Sequence, residues 1–469
     1  MVPDPRSPVR TSEPWSREAG SRTPSHAGLA DSSGAARPGS GPAVPVVVLN
    51  PYYTGLGIAR NLHGTGVRVH ALTSDAATPG ARSRYFASVR TVPDGRDAPE
   101  ALCAELLRIA DSFGAVPILF PTRDFDILFL HEHRARLAPC YLLPYRDFDA
   151  VLRTMDKLEV AGAAQALGIP TPATLAVESA ADVAAAADRL RFPVIVKPRF
   201  AYQWRHRGLW ERIGGQKAFI AATRGELDAL YARLVELAPH ALVQEFVPGV
   251  DHDIVVCCCV VGGDGALLGH FTGRKLRQSP PLVGTGCVVE ASPVHDVLEP
   301  TLKLLRSLGY TGIAEVEYKL DRTTGVYHLI EINPRHWDQH ELGRLVGINV
   351  TWLAYADLAA IPVAPCRPVY EHGARYRWIA ESELVMSVAR DMRDALRVAR
   401  TPASVADSSR LTRACSVLAT ALSLVRGRRV FGMWRLADPR PGLGTVTRLG
   451  TTVWAAVRRR GASSSRAGP

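Results

Sequence analysis

A predicted β-hairpin at residues 312–335 constrains the fold of this chain most strongly. Its two arms are apolar at alternate positions, and the turn between them is rich in Asp, Thr and Gly. Because side chains alternate along a strand, Glu315 and Glu317 share one face of the first arm, as Glu331 and Asn333 do on the second. Symmetrical pairing would place Glu315 opposite Glu331, with Glu317 diagonal to Glu331, unless a one-residue bulge separates the two sets.

Three carboxylates on one patch of a half-apolar sheet repel one another, and burying them unpaired is costly. A divalent cation removes that conflict, and carboxylate and amide oxygens are ligands that suit Mg²⁺ or Mn²⁺. The alternative is a hairpin whose polar face is simply exposed to solvent. We favour a metal site on this face of the hairpin.

The first ordered stretch alternates short apolar strands with helical patterns. Strands are predicted at 44–49, 67–72, 117–120 and 141–143, and helices at 98–113 and 124–137. This alternation indicates a doubly wound α/β domain over residues 43–150. The turn after the first strand does not match GxGxxG, because Arg60 stands at the third glycine position. We therefore expect a plain tight turn there and no dinucleotide site.

The following stretch, residues 151–365, holds more strands with fewer helices between them, which favours α+β structure. Its strands are predicted at 192–198, 241–246, 254–261, 267–276, 288–290, 313–320 and 326–332. Its helices are predicted at 156–167, after the capping residues Ser179 and Thr223, and at 297–308. The predicted division of the chain is a disordered leader at 1–42, the domains at 43–150 and 151–365, and a C-terminal extension with a basic tail at 366–469.

Two lysines and one strand end are candidates for holding a nucleotide. Lys197 ends an apolar strand and could offer a compact charge to a phosphate, whereas Lys157 begins a helix. The strand that runs into Gln244 could present backbone groups to an adenine edge, with Asp251 or Asp253 reaching the ribose hydroxyls. Each candidate has a simpler interpretation. Lys197 could simply reach solvent, Lys157 could be a solvated helix residue, and the strand that ends near Gln244 could be an ordinary strand with polar residues on its surface.

Taken in order, five elements resemble the ATP-grasp superfamily, and within it the carboxylate–amine ligase-like branch, with D-aspartate ligase more distant. They are Lys157, the strand ending at Lys197, Gln-Glu-Phe-Val-Pro-Gly at 244–249, Glu-Val-Glu at 315–317 and Glu-Ile-Asn-Pro-Arg at 331–335. The segment at 271–278 is also typical of that branch. The resemblance covers about residues 44–365. It implies a Rossmann-like pre-ATP-grasp domain followed by a two-subdomain ATP-grasp fold.

The resemblance also implies a role for each candidate residue. The expected ligands of ATP are Lys157 and Lys197 for the phosphates, Gln244, Glu245 and Val247 for adenine, and Asp251 or Asp253 for the ribose. The expected ligands of Mg²⁺ or Mn²⁺ are Glu317, Glu331 and Asn333. The residues expected to steady the acyl phosphate or the acid substrate are Arg335 with Arg274, Lys275 or Arg277.

The implied chemistry is ATP-dependent activation of a carboxylate as an acyl phosphate, followed by attack of an amine. The alternatives are carboxylation through carboxyphosphate and nucleotide binding without turnover. One departure from the family concerns the flap between Lys197 and Thr223. Many family members have a Gly/Ser-rich flap there, whereas residues 199–207 of this chain are rich in arginine and aromatic side chains.

The basic charge of the chain is confined to its C-terminal end. Residues 410–469 contain twelve arginines and one aspartate, and their net charge of +11 equals the formal charge of the whole chain. The neutral remainder gives no reason to expect a nucleic-acid partner. The final stretch could lie on an anionic membrane as an amphipathic helix, or the tail could pack on the body.

The expected partners are therefore a small-molecule carboxylate and an amine, with a homodimer and a peripheral membrane contact as further alternatives. The eight cysteines lack metal-binding spacing and suggest a reducing compartment. The sequence also lacks a 20-residue apolar run and the apolar core of a signal peptide. These features predict a cytoplasmic location.

Overall fold

The computed structural model describes residues 43–205, 208–238, 240–399, 427–448 and 450. The predicted leader, residues 1–42, lies outside the described residues. The described strands form three sheets. Two of them have four strands each, and the third has seven.

The first sheet is parallel and has the strand order β3-β2-β1-β4. Its strands are β1 Val46–Leu49, β2 Val69–Thr73, β3 Ser88–Thr91 and β4 Ile118–Phe120. Its helices are α1 Tyr53–Leu62, α2 Pro99–Ala110, α3 Asp124–Glu132, α4 Arg134–Leu137 and α5 Phe148–Met155, with a 3-10 turn at Pro79–Arg82. The predicted doubly wound α/β architecture is confirmed.

Two details of this part differ from the prediction. The sequence pattern did not reveal β3, because it is a largely exposed edge strand with a single apolar residue, Val89. The apolar run at 141–143 makes only an isolated bridge, between Leu142 and Ile118.

The second sheet is antiparallel and has the strand order β5-β8-β6-β7. Its strands are β5 Thr174–Val177, β6 Val194–Lys197, β7 Phe219–Ala221 and β8 Ala241–Glu245. The helices of this stretch are α6 Lys157–Ala166, α7 Ala180–Arg189, α8 Ala201–Trp204, α9 Leu209–Arg212 and α10 Arg224–Leu234. As predicted, the hydroxyls of Ser179 and Thr223 cap α7 and α10, each accepting from a backbone N–H at 3.2 Å.

The third sheet has the strand order β13-β12-β9-β10-β11-β14-β15. Its strands are β9 Ile254–Val261, β10 Leu267–Ser279, β11 Thr285–Ala291, β12 Gly312–Asp321, β13 Val326–Asn333, β14 Tyr376–Ile379 and β15 Arg428–Phe431. The nearby helices are α11 Leu298–Ser307, α12 Val350–Leu358 and α13 Glu381–Ala399, with 3-10 turns at Asp251–Asp253 and His340–Val346. Cys258 of β9 packs into one apolar core, whereas Cys257 and Cys259 pack into another, so this sheet lies between two cores.

The hairpin of β12 and β13 does not have the symmetrical pairing that the sequence predicts. Glu317 pairs with Glu331, and Glu315 pairs with Asn333. The difference of two residues has two physical reasons. The turn closes with Asp321 opposite Val326, one residue away from the symmetrical pairing. A bulge between Glu317 and Tyr318 then shifts the register by one more residue and leaves Ile330 unpaired. The carboxylates still share one face of the sheet, but the facing pair is different.

The predicted boundary at residue 365 divides strands of one sheet. Both β14 and β15 come after that position, and both extend the large sheet. The Arg60 guanidinium is buried and donates to the carbonyls of Gly432 at 2.7 Å and Met433 at 2.9 Å. Arg435 of the basic tail forms an ion pair of 2.6 Å with Glu341.

Residues 427–448 therefore pack on the body of the protein, which is the second of the two alternatives for the tail. The predicted membrane-binding stretch falls mainly on 451–469, outside the described residues. In the part of the chain that the structure describes, no helix is both long enough and apolar enough to cross a membrane.

We predict that Arg60→Met loosens the C-terminal segment. The change leaves backbone carbonyls and the buried carboxylates of Glu341 and Asp438 without their shared cation, which should lower the free energy of unfolding by about 3 kcal/mol. Urea unfolding measures this loss. Arg108→Met, which removes an exposed ion pair with Glu105, is the control and should leave stability nearly unchanged. Equal stability of the two variants would contradict the conclusion that Arg60 holds the C-terminal segment on the body of the protein.

Candidate active site

A cavity of about 310 Å³ lies where the three sheets meet. Its walls come from the strand ends of the first sheet, from β6 and β8 of the second sheet, and from β10, β12 and β13 of the third. Ten of the predicted site residues line it, namely Lys157, Lys197, Gln244, Glu245, Val247, Lys275, Glu317, Glu331, Asn333 and Arg335. The predicted nucleotide, metal and acid ligands thus share one cavity.

Two of the predicted basic residues point away from the cavity. Arg274 donates to the carbonyl of His252 at 2.6 Å, and Arg277 donates to the Ser387 hydroxyl at 2.9 Å and pairs with Asp391 of α13. Strand alternation explains Arg274, since its neighbour Lys275 faces the cavity. A register shift between Lys275 and Arg277 turns the latter to the outer face as well. Arg274 and Arg277 therefore lie off the cavity lining, and their role as substrate-binding residues stays a prediction.

The two aspartates proposed for the ribose also lie off the cavity lining. The Asp251 carboxylate accepts from the backbone N–H groups of Gln278 at 2.7 Å and Leu282 at 2.8 Å. The Asp253 carboxylate is fully buried and accepts from Arg322 at 2.6 Å and from the Val250 N–H at 2.8 Å. Both carboxylates hold neighbouring groups in place, and the assignment of either one to the ribose stays a prediction.

Lysines surround the Glu331 carboxylate at the centre of the cavity. Burial alone would raise the pKa of Glu331, but the charges of Lys157, Lys197 and other lysines outweigh burial and lower it. Burial, together with the charge of Lys157, lowers the pKa of Lys197 to about 8. The Lys197 ammonium donates to Gln244 Oε1 at 2.7 Å, which ties the end of β6 to β8.

The other two carboxylates of the hairpin have different environments. Glu317 pairs with Lys275 at 2.5 Å. Glu315 accepts from the amides of Asn333 at 3.1 Å and Gln339 at 2.9 Å. Burial, followed by the charge of Glu317, raises the pKa of Glu315 to about 8. Glu315 is thus the carboxylate of this cluster in which the proton is held most firmly.

The donor set of Glu317, Glu331 and Asn333 fits a magnesium ion that shares its ligands with a bound phosphate. Among the described residues, no three His, Cys, Asp or Glu side chains form a metal-holding group by themselves. Mg²⁺ commonly takes one or two carboxylates from a protein and completes its shell with substrate phosphates and water. Glu317, Glu331 and the Asn333 amide supply oxygens of that kind.

Asp124 was not predicted, yet it fixes the orientation of Arg335. Its carboxylate accepts from Arg335 Nε at 2.5 Å. Burial would raise the pKa of Asp124, but Arg335 and then Arg205 lower it to about 2. The available signal was its position immediately after β4, where strand ends of a parallel sheet commonly bear functional groups.

Two further lysines on the cavity wall were also missed. Lys217 belongs to the segment that replaces the glycine-rich flap; it hydrogen-bonds to Thr285, and burial lowers its pKa to about 8. No strand or helix pattern places this residue. Lys319 lies with its Nζ 3.9 Å from the centre of the Phe246 ring. It shares the strand face of Glu315 and Glu317, so alternation along β12 could have found it.

The flap itself consists of two one-turn helices, α8 and α9. Trp204, the last residue of α8, is buried, and Arg205 and Trp210 line the cavity. Aromatic packing thus takes the place of the glycine-rich turn found in many family members.

Comparisons with known proteins agree with this geometry. The chain is 26% identical over 313 residues to D-aspartate ligase of Enterococcus faecium (strain Aus0004), which covers 64% of this chain and 73% of that protein. It is 25% identical over 201 residues to the N-terminal section of the carbamoyl phosphate synthase large chain of Methanopyrus kandleri, covering 40% of this chain and about a third, 32%, of that one. The chain matches no protein-family model.

Two solved structures show the same fold. The L-amino acid ligase from Bacillus licheniformis superposes with a TM-score of 0.53 at 16% identity, covering 69% of this chain and 77% of that one. The N5-carboxyaminoimidazole synthetase from Staphylococcus aureus complexed with ADP superposes with a TM-score of 0.56 at 13% identity, covering 75% and 86%.

The chain resembles ATP-grasp enzymes. Its 26% identity to D-aspartate ligase and its fold support a likeness to the carboxylate–amine ligase-like proteins of that superfamily. The strand ends of the parallel first sheet and strands of the second and third sheets together line the cavity.

We predict opposite effects on stability for two isosteric changes at the hairpin carboxylates. Glu331→Gln should lower the free energy of unfolding by about 2 kcal/mol near neutral pH, because four lysines lose their counter-charge. The lowered pKa of Glu331 means that its contribution is present above the ordinary carboxyl pKa and is lost as the pH falls below it. The loss of unfolding free energy in Glu331→Gln should therefore disappear at acidic pH.

Glu315→Gln should behave in the reverse way. The raised pKa of Glu315 means that the wild-type carboxyl costs stability as pH rises from 4.5 to about 8, because the folded state resists ionisation. The free energy of unfolding of Glu315→Gln should therefore rise relative to that of the wild type across that interval. Urea unfolding at several pH values measures both differences. Parallel pH profiles for the two variants would contradict these assignments.

Proposed function

We propose that this chain is an ATP- and Mg²⁺-dependent ligase that activates a substrate carboxylate as an acyl phosphate and joins it to an amine. The observation that carries the proposal is the Glu331 centre, where lysines from separate elements surround hairpin carboxylates within one cavity. Such an arrangement suits a polyphosphate that carries its own cation. The similarity to D-aspartate ligase supports the same chemistry.

ATP would lie across the cavity between the second and third sheets. The end of β8, with Gln244, Glu245 and Val247, would receive the adenine. The Glu245 carboxylate is held by Arg191 at 2.9 Å, which leaves backbone groups of the strand end for the adenine edge. Lys157 and Lys197 would contact the phosphates, joined by Lys217 from the flap, which would supply a charge in place of flap glycines.

Glu317, Glu331 and Asn333 would hold Mg²⁺, which would neutralise charge on the β- and γ-phosphates of ATP. Arg335, oriented by Asp124, would steady the acid substrate. Lys275 would balance the charge of Glu317. Arg335 and Lys275 are the two members of the predicted basic set that face the cavity.

The reaction would proceed in two steps. A carboxylate oxygen attacks the γ-phosphorus, the bond from that phosphorus to the β–γ bridging oxygen breaks, and ADP leaves with the electron pair. The amine nitrogen then attacks the acyl carbon, a C–N bond forms, and phosphate leaves as the C–O bond breaks. The nitrogen releases its proton, so the products are an amide, ADP and phosphate. The site needs no protein nucleophile for either step.

A second candidate is ATP-dependent carboxylation, in which bicarbonate takes the place of the organic acid. The structural neighbours that favour it are N5-carboxyaminoimidazole synthetases and biotin carboxylases, one of which was solved with bicarbonate. Their sequence identity of 13–15% supports the fold alone. Retained ADP formation with bicarbonate as the sole acid would favour this second function.

The test is a screen for Mg·ATP-dependent hydroxamate formation, with amino acids and small dicarboxylates as acids and hydroxylamine as the nucleophile. Hydroxylamine traps an acyl phosphate without requiring the natural amine. We expect at least one acid to give hydroxamate and stoichiometric ADP. Lys197→Met and Glu331→Gln should each reduce this rate at least about a hundredfold, because both remove charge stabilisation at the transferring phosphoryl group.

Asp228→Asn, an exposed change on α10, is the matched control and should keep wild-type activity. Undiminished hydroxamate formation by Lys197→Met or Glu331→Gln would refute the proposed site. Failure of every organic acid, combined with turnover on bicarbonate, would replace the proposed function with the second candidate.

A further inference from the structure

One end of the catalytic cavity is formed by strand ends of the first sheet. In the first sheet the chain runs from β1 to β2 and β3 on one side and then to β4 on the other, so the strand order reverses between β1 and β4. A crevice opens at the carboxyl ends of strands at such a reversal. Asn50 follows β1, and Thr122 and Arg123 follow β4, and all three line the cavity.

The charged groups at this end are almost all paired. Arg123 forms an ion pair of 2.6 Å with Asp126, and Arg335 forms one of 2.5 Å with Asp124. Asp338 also lines the cavity here, and the Thr54 hydroxyl donates to its Oδ1 at 2.8 Å. No cationic side chain among the described residues lies within ion-pair distance of Asp338. The charge available to a ligand at this end is therefore negative.

Asp338 lies close to Arg335 and is firmly positioned. Burial would lower the pKa of Arg335, but Asp124 and, more weakly, Asp338 raise it. Hydrogen bonds hold the segment that contains Asp338, since the Tyr145 hydroxyl donates to the Pro334 carbonyl at 2.8 Å and the Gln339 side-chain amide donates to Glu315 at 2.9 Å. A group bound to Asp338 would lie beside the residue that we assign to the activated acid.

We propose that Asp338 binds the ammonium group of the amine substrate, at a subsite made by Asp338 and the strand ends of the first sheet. The inference rests on the proposed ligase function and adds the chemical class of its second substrate. That substrate carries an amino group that is protonated in solution. Asp338 is a substrate-binding residue that sets the position of the nitrogen relative to the acyl carbon. Its carboxylate accepts one proton from the ammonium group, which frees the nitrogen lone pair for attack.

The rest of the amine has room in an adjoining cavity of about 340 Å³. The two cavities share Asn50, Tyr52 and Arg123. The adjoining cavity lies over the carboxyl ends of β1, β2 and β3, and the hydroxyl-bearing residues that line it include Thr73 and Ser74. This lining suits a polar body, such as that of an amino acid, better than a long apolar chain.

The test compares a charged and an uncharged nucleophile on the same acyl phosphate. Hydroxylamine is uncharged near neutral pH, whereas an amino acid presents an ammonium group. With an acid that supports hydroxamate formation, Asp338→Asn should reduce the hydroxamate rate by a much smaller factor than the rate with an amino-acid amine. Its KM for the amino-acid amine should rise at least about tenfold, the loss expected for a hydrogen bond to a charged group. Asp228→Asn should match the wild type in both assays.

A binding measurement makes the subsite testable before any acid is identified. Glycinamide should raise the thermal unfolding temperature of the wild-type enzyme saturably in the presence of MgADP. Propionate should give no rise in that temperature that depends on Asp338. Asp338→Asn should abolish the glycinamide response, and Asp228→Asn should keep it. An equal response in Asp338→Asn, or no saturable response in the wild type, overturns the subsite.

The two proposals fail in different ways. Absence of hydroxamate with every acid counts against the ligase function, whatever Asp338 does. Equal loss of the hydroxylamine and amino-acid reactions in Asp338→Asn would show a general defect in the site, and that result would overturn the assignment of Asp338 to the amine.

Discussion

The attraction between the Glu331 carboxylate and the surrounding lysines is the interaction on which the rest of the site depends. Lys157 begins α6, Lys197 ends β6, Lys275 lies in β10 and Lys217 lies in the flap segment. These elements belong to separate parts of the chain, and each contributes a cation to one carboxylate of β13. Four ammonium groups crowded in a water-poor cavity would repel one another without an anion among them.

The same arrangement explains how the site can take a polyphosphate. Burial holds the pKa of Lys197 and Lys217 at about 8, so part of their charge is withheld in the unliganded protein near that pH. An arriving phosphate favours the protonated form of each lysine. The other two hairpin carboxylates have different surroundings. Glu317 is paired with Lys275, whereas Glu315 retains its proton. Neighbouring glutamates of one motif thus have different charge states because their partners differ.

The sequence predicted the sheet classes and most elements, because apolar periodicity and capping residues act locally. Ten of the site residues that the family resemblance implies line one cavity, and strand alternation placed Glu315 and Glu317 on one face of the hairpin. The predicted pairing of the hairpin was wrong partly because a bulge intervened at Ile330, and a further register shift lies near Arg277 in β10. A bulge changes which face a side chain occupies, and no local signal in those strands announced it.

Contacts between distant segments were beyond sequence reasoning for a different reason. Apart from its position after β4, Asp124 is an ordinary aspartate by its local sequence, and only the fold brings it to Arg335, 211 residues further along the chain. The tail likewise seemed a simple basic extension, whereas Arg435 pairs with a buried glutamate and β15 completes the large sheet. Long-range pairing of this kind depends on the tertiary structure and leaves no periodic pattern.

The transfer of oxygen from acid to phosphate tests the central claim most directly. An acid substrate labelled with ¹⁸O in its carboxylate is turned over with Mg·ATP and amine, and the inorganic phosphate is analysed by mass spectrometry. Activation as an acyl phosphate predicts that each phosphate formed carries one ¹⁸O atom from the acid. Phosphate without the label, formed at the same rate as amide, would contradict the account.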